Sequence, residues 1–215
     1  MVEITPQMKS WMGKFGAEYT ERNNLSLEEL DSLYIKNYGI SRTALDNEFL
    51  EDAIMRSSRI LEVGSNICNQ ILLLQKLGFY NLYGIELQSY AVELSKQRTN
   101  AINLIQGSAF NIPFKDGFFD LVFTSGLLIH ISPGDIHRIL GEIYRCTNQY
   151  IWGFEYWSDD YSEVRYRGNE ELLWKSDFVK LYLGTFDDLV LVKERKLKYI
   201  NNDNIDSMFL LKKMR

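Results

Sequence analysis

Arg59-Ile60-Leu61-Glu62-Val63-Gly64-Ser65-Asn66-Ile67-Cys68-Asn69 is the stretch whose reading decides the fold. A short apolar run stops at a glycine, and an amphipathic segment from Ile67 to Leu77 follows, with Gly78 as its stop. That is a strand, a tight turn and a helix, and the rhythm repeats downstream. Leu82–Glu86 reads as a second strand, Tyr90–Arg98 as a helix and Ile102–Gln106 as a third strand. Phe119–Thr124 reads as a fourth strand, apolar on both faces as a buried parallel strand is. Ser132-Pro133 opens a helix through Cys146, and Tyr150–Phe154 supplies a fifth strand. Such alternation implies right-handed crossovers and an open parallel sheet covered on both sides.

Outward from that core the pattern changes at both ends. After an aromatic and charged stretch from Tyr156 to Gly168 and a helix from Ser176 to about Leu183, two more strands follow, Leu189–Tyr199 and Met208–Lys212. The Asn201-Asn202-Asp203-Asn204 turn between them predicts an antiparallel hairpin. A dehydrogenase-type dinucleotide fold stays parallel to its edge, so the expected α/β architecture is a different one: seven strands, mostly parallel, with a C-terminal antiparallel hairpin. Upstream, Thr5-Pro6 opens a helix to about Phe15, and Ser26 with Glu29 forms a capping box for a helix through Tyr34. Ser41 caps a third helix carrying Leu45, Phe49, Ala53 and Ile54 at helical spacing. Residues 1–56 thus read as a helical N-terminal cap on the same domain as residues 57–215.

Composition bounds the function. A chain of 215 residues, 46% hydrophobic, has room for one sizeable domain with a full core. With 24 basic and 29 acidic residues the net charge of −5 gives no global pull toward nucleic acid or an anionic membrane. Two cysteines, Cys68 and Cys146, and two histidines, His130 and His137, make neither a disulfide framework nor a metal centre. No apolar run approaches the ~20 residues of a membrane span, and the N-terminus has no secretory pattern. The expectation is a cytoplasmic monomer or homodimer, with no metal, membrane or nucleic-acid partner.

In an open α/β sheet the ligand lies beyond the carboxyl ends of the strands, where strand order reverses. The first turn there has only one glycine of a dinucleotide fingerprint, with Asn66 where the second would stand and would crowd a pyrophosphate. A cofactor without phosphates makes no such demand. Glu86 ends the second strand about 20 residues on, where a carboxylate takes ribose hydroxyls. Ser108-Ala109-Phe110 can flank an adenine, and Ser125 to His130 faces the same cleft. These features point to S-adenosylmethionine (SAM) rather than NAD. The candidate cofactor residues are Glu62, Gly64, Asn66, Glu86, Leu87, Ser108, Ala109 and Ser125.

Ile60-Leu61-Glu62-Val63-Gly64, Tyr83-Gly84-Ile85-Glu86, Ile112-Pro113-Phe114 and Phe119-Asp120-Leu121-Val122 together resemble class I SAM-dependent methyltransferases over residues 58–156. Further runs resemble the methylases associated with pseudaminic acid biosynthesis. They are Phe15-Gly16-Ala17-Glu18-Tyr19-Thr20-Glu21-Arg22-Asn23, Gly126-Leu127-Leu128-Ile129-His130-Ile131, Tyr144-Arg145-Cys146-Thr147-Asn148-Gln149-Tyr150-Ile151, Glu155-Tyr156 and Tyr166-Arg167-Gly168. The resemblance implies a Rossmann-like methyltransferase fold. It also implies methyl transfer from SAM to N or O of a small polar or anionic metabolite, a nonulosonic acid or nucleotide-linked amino sugar, leaving S-adenosylhomocysteine. The chain departs from the usual pattern at Asn66, Cys68 and Ser108, the last standing where many relatives carry an acid for the adenine.

For the chemistry, His130 follows the fourth strand and is either a general base or a histidine packing the loop, with Glu155 and Tyr166 as competing proton handlers. Tyr19, Arg22, Tyr156 and Arg167 form the expected substrate layer, because guanidinium groups suit a carboxylate or phosphate. Asp120 and both cysteines read as structural, and His137 as surface. Two rival functions stay open: a methyltransferase acting on RNA or protein, and a non-catalytic scaffold on the same fold.

Overall fold

A computed structural model describes residues 4–214. The chain opens with four helices: α1 (Pro6–Met12), α2 (Lys14–Arg22), α3 (Leu27–Tyr38) and α4 (Arg42–Leu50). There follow β1 (Arg59–Val63), α5 (Asn69–Lys76), β2 (Asn81–Glu86), α6 (Ser89–Arg98), β3 (Asn103–Gln106) and β4 (Phe119–Ser125). After a 3₁₀ turn at Leu128–His130 come α7 (Ile136–Cys146), β5 (Thr147–Tyr156), β6 (Ser162–Glu163), β7 (Trp174–Lys175) and α8 (Phe178–Thr185). The chain closes with β8 (Leu189–Lys198) and β9 (Ile205–Lys213).

The main sheet has seven strands in the order β3-β2-β1-β4-β5-β9-β8. The first five pair in parallel and the last two antiparallel, as the hairpin reading requires. Strand order reverses between β1 and β4, so the crevice that an open sheet offers a ligand lies above those two carboxyl ends. Alternation along the strands feeds two apolar layers. Leu61, Val63, Val122 and Phe209 pack with Ile139 and Ile143 of α7 on one face. Ile60, Phe123, Trp152 and Leu210 pack with Leu45 and Leu50 of α4 and Leu73 of α5 on the other. Helices α3 and α4 therefore help build the second layer, while Met8 of α1 packs into the first.

Local chemistry explains where the elements depart from the sequence reading. Ser26 and Glu29 form the full capping box, but α3 runs on through Tyr38 to Gly39, which ends it at φ +76°. The expected single helix to Phe15 is instead two. It breaks at Gly13, whose backbone is extended and whose N–H donates back to Lys9 and Ser10, and α2 then continues through Arg22. Helix α5 starts at Asn69 rather than Ile67, because Asn66 and Cys68 both sit at positive φ, 43° and 64°. Helix α7 starts at Ile136 rather than beside Pro133; the Ser132 hydroxyl donates to the Asp135 carboxylate at 2.8 Å within the preceding turn. The small β6–β7 pair arises in a stretch without any two-residue alternation.

Candidate active site

One cavity of about 450 Å³ opens at the carboxyl ends of β1, β2, β4 and β5, lined also by α1, α2 and α3 from Leu30 to Tyr38. Every site residue named from the sequence lines it. They divide into two groups on chemistry.

The first group surrounds the β1 turn. Gly64 has φ +75°, which strains any side chain, and a Cβ there would press on Leu127 Cδ1 at 2.8 Å. The N–H groups of Gly64 and Ser65 both donate to Ile85 O, at 2.9 and 3.1 Å, tying the turn to β2. Asn66 takes the left-handed conformation that a second glycine would otherwise supply, one that asparagine tolerates best among residues with a side chain. Its N–H donates to Glu86 Oε2 at 2.9 Å, and Gln88 N–H donates to Glu86 Oε1 at 2.8 Å. Both carboxylate oxygens are thus fixed. Burial pushes the Glu86 pKa up, while the N–H groups of Gln88, Asn66 and Leu87 pull it back.

Glu62 lies deeper, 2% exposed, and burial holds its pKa well above the usual carboxylate range. Its Oε2 has no partner among the described residues. A buried carboxylate oxygen without a donor is costly, and this open acceptor suits a donor carried by a ligand. Ser108 Oγ accepts from Phe110 N–H at 3.2 Å and so caps its own turn. Ser125 Oγ accepts from Arg42 Nη1 at 3.1 Å. These residues fit SAM: a turn that admits close approach at Gly64, a fixed carboxylate at Glu86 and an unmet acceptor at Glu62.

The second group is aromatic. Trp11 and His130 have ring centroids 4.4 Å apart, Tyr166 lies 5.6 Å from His130, and Tyr19 packs edge-on against Trp11 at 5.1 Å. His130 Nδ1 lies 2.7 Å from Leu172 O, and a carbonyl only accepts, so Nδ1 carries the proton. Burial pushes the His130 pKa down to about 4, which leaves a neutral ring with its lone pair on Nε2. Glu155 is buried and accepts from the N–H groups of Leu127 at 3.2 Å and Ile129 at 3.4 Å, so it anchors the 3₁₀ turn that carries His130. Burial pushes its pKa up to about 7 against those hydrogen bonds. Arg22 and Arg167 are exposed among the lining residues, and Tyr156 is half-buried.

Several lining residues escape a sequence reading: Thr20, Tyr34, Tyr38, Gln88, Tyr199 and Asp206. The Thr20 hydroxyl lies 3.0 Å from the Asn66 side chain and 3.1 Å from that of Gln88, which in turn donates to the carbonyls of Trp11 and Gly13 at 3.2 and 3.3 Å. These bonds fasten the helical roof to the cofactor turn. Beneath them Arg42, fully buried, is held by Asp46 at 2.6 Å and by Tyr34 at 2.9 Å. Arg42 did carry a signal. A cation in the first turn of a helix opposes the macrodipole, so it must answer to something else.

Residues 61–149 match a family described as a methyltransferase domain. The chain has the class I methyltransferase fold. Among solved structures it is similar to the 1,6-didemethyltoxoflavin-N1-methyltransferase of Burkholderia thailandensis, with bound 1,6-didemethyltoxoflavin and S-adenosylhomocysteine (TM-score 0.73, 11% identity, 100% of this chain and 92% of that one). It is also similar to the geranyl diphosphate C-methyltransferase of Streptomyces coelicolor A3(2) (TM-score 0.72, 11% identity, 100% of both chains). A third similar structure comes from a complex that contains the Haloferax volcanii Trm112 methyltransferase activator (TM-score 0.65, 10% identity, 96% of both). Identities this low attest a shared fold. No curated protein matches the sequence itself. No helix among the described residues of this methyltransferase fold is long and apolar enough to cross a membrane, and no group of three metal-ligating side chains is found among them.

Proposed function

We propose that the chain is a SAM-dependent methyltransferase acting on N or O of a small polar acceptor, of the nonulosonic acid or nucleotide-linked amino sugar class. The carrying observation is Glu86: a carboxylate fixed by two main-chain N–H groups, beside a turn whose left-handed Gly64 favours glycine, in a cavity also lined by aromatic rings. A volume of about 450 Å³ lies within the range of small-molecule sites, and the net charge of −5 speaks against an RNA acceptor.

In this reading Glu86 takes the ribose hydroxyls, Glu62 offers its free oxygen to the ammonium of the amino-acid end, and Gly64 lets the backbone approach. Leu87, Ser108 and Ala109 flank the adenine. SAM supplies a methyl group already activated on sulfonium, so the protein's task is alignment and exclusion of water, an effect of up to ~7–11 kcal/mol. His130, neutral and with its Nε2 lone pair free of Leu172, accepts a hydrogen bond from the acceptor's hydroxyl or amine and orients it for attack. Glu155 holds the turn that aims this imidazole, and Tyr166 packs against it. Arg22 and Arg167 pair with an anionic group of the acceptor from the rim.

Calorimetric titration with SAM and S-adenosylhomocysteine tests the cofactor half. Micromolar binding is expected, weakened at least tenfold in Glu86→Ala; absence of binding by the unmodified protein would overturn it in favour of a scaffold. For the acceptor half, His130→Ala is expected to lower turnover at least tenfold with cofactor affinity unchanged. Equal turnover would remove His130 from the chemistry.

A further inference from the structure

We propose that Asp206 is the anchor of an acceptor subsite that takes a protonated amine, so the acceptor carries an ammonium group as well as the atom to be methylated. The proposal deepens the methyltransferase reading and rests on it.

Asp206 sits on β9, directly across from Tyr156 on β5, where the parallel sheet meets the C-terminal hairpin. It is 0% exposed and lines the cavity. The Tyr38 hydroxyl donates to its Oδ2, and the Tyr199 hydroxyl lies 3.2 Å from the same oxygen. Its Oδ1 has no partner, and no cation lies within ion-pairing distance among the described residues. Of the two cations whose charge reaches Asp206, Lys175 donates to Asn204 Oδ1 at 2.5 Å and Arg42 pairs with Asp46. A buried carboxylate with one oxygen unmet is an expensive feature to keep without a function.

Its surroundings select the charge of the missing partner. Tyr34, Tyr38 and Phe154 form a mutually packed set with centroids 5.4–6.1 Å apart, continued by Tyr199 at 4.7 Å from Tyr38 and Tyr156 at 6.5 Å from Tyr199. Arg42 already lies over Tyr34 and Phe154, and Lys175 over Tyr156. The open acceptor Oδ1, beside the Tyr38 and Tyr199 rings, is therefore what favours an ammonium, and the carboxylate repels an anion. Burial pushes the Asp206 pKa up to about 7, opposed by the tyrosine hydroxyls and by the more distant charges of Lys175 and Arg42; an ammonium on Oδ1 would draw it down further. The exposed Arg22 and Arg167 line the same cavity, so an acceptor with groups of opposite charge has a counterpart for each.

The test uses the S-adenosylhomocysteine-loaded protein at pH 8, where an alkylamine is protonated as a lysine is. The probes are trans-4-aminocyclohexanol and trans-1,4-cyclohexanediol, followed by saturation-transfer NMR. The amine is expected to bind at least tenfold tighter than the diol, and Asp206→Asn to abolish that preference while S-adenosylhomocysteine affinity stays the same. Should Asp206→Asn not fold, Tyr199→Phe, which removes one hydroxyl from the carboxylate, is expected to reduce the preference several-fold. No preference in the unmodified protein, whether both probes bind or neither, overturns the subsite, as does a preference untouched by either variant. Loss of S-adenosylhomocysteine binding by the unmodified protein strikes the methyltransferase reading instead, and so separates the two failures.

Discussion

Arg42 shows what single residues contribute beneath the site. Its guanidinium is fully buried, paired with Asp46, and lies 4.8–5.5 Å from the ring centroids of Phe154, Trp152 and Tyr34. It also hydrogen-bonds Ser125 in the cavity wall. Burial pushes the Asp46 pKa up to about 6 although Arg42 opposes it, so the pair is held under a desolvation penalty. Removing one partner leaves the other charge uncompensated. Arg42→Met is expected to lose about 3–5 kcal/mol in denaturant unfolding, and Arg42→Met with Asp46→Leu to recover most of that loss. If the double variant is no more stable than the single one, the ion pair is not the source of the effect. That the candidate cofactor residues share one cavity was legible because it follows from chain order: a strand, a glycine, a second strand and its terminal acid. Asp206 was not, since a lone acid heading an apolar strand shows its partners only once Tyr38, far away in sequence, is folded against it.

At the scale of elements, the βα rhythm from Arg59 onward was readable, because period and turn glycines act locally and burial confirms them. The N-terminal helices were readable in existence but not in arrangement. Gly16 explains why. It packs so closely that a Cβ would fall on the Trp11 carbonyl and lie 2.8 Å from Gln88 Nε2, a tertiary constraint that leaves no periodic trace. The α1–α2 pair is therefore a roof with a fixed bend, pinned through Gln88 to the strand that carries Glu86. Gly16→Ala is expected to loosen that roof alone. Amide exchange in α1 and α2 should quicken at least tenfold and cofactor affinity should fall, while the melting temperature shifts by only a few degrees, because most of both apolar layers is built from other elements. A collapse of global stability equal to that of a core variant would show the roof to be part of the cooperative unit.

For the whole molecule, the buried titratable groups set how stability varies with pH. Asp46 is raised to about 6, Glu155 and Asp206 to about 7, with Glu62 and Glu86 raised as well, all chiefly by burial. A carboxyl raised on folding binds its proton more tightly in the folded chain than in the unfolded one. Its contribution is fully present below the ordinary carboxylate range near 4 and is lost as pH rises toward 7. His130, lowered to about 4 from 6.5, works the other way and is lost as pH falls through that interval. Several carboxyls against one imidazole make the balance clear. In ligand-free protein the melting temperature should climb by several degrees as pH drops from 8 to about 5. Glu155→Gln keeps the shape of the side chain but cannot titrate, so it should flatten part of that climb. A melting temperature that stays level or rises between pH 5 and 8 would mean that these carboxylates are met by charge in the folded chain. In that case the unpaired oxygens of Glu62 and Asp206 would not be waiting for a ligand's donors.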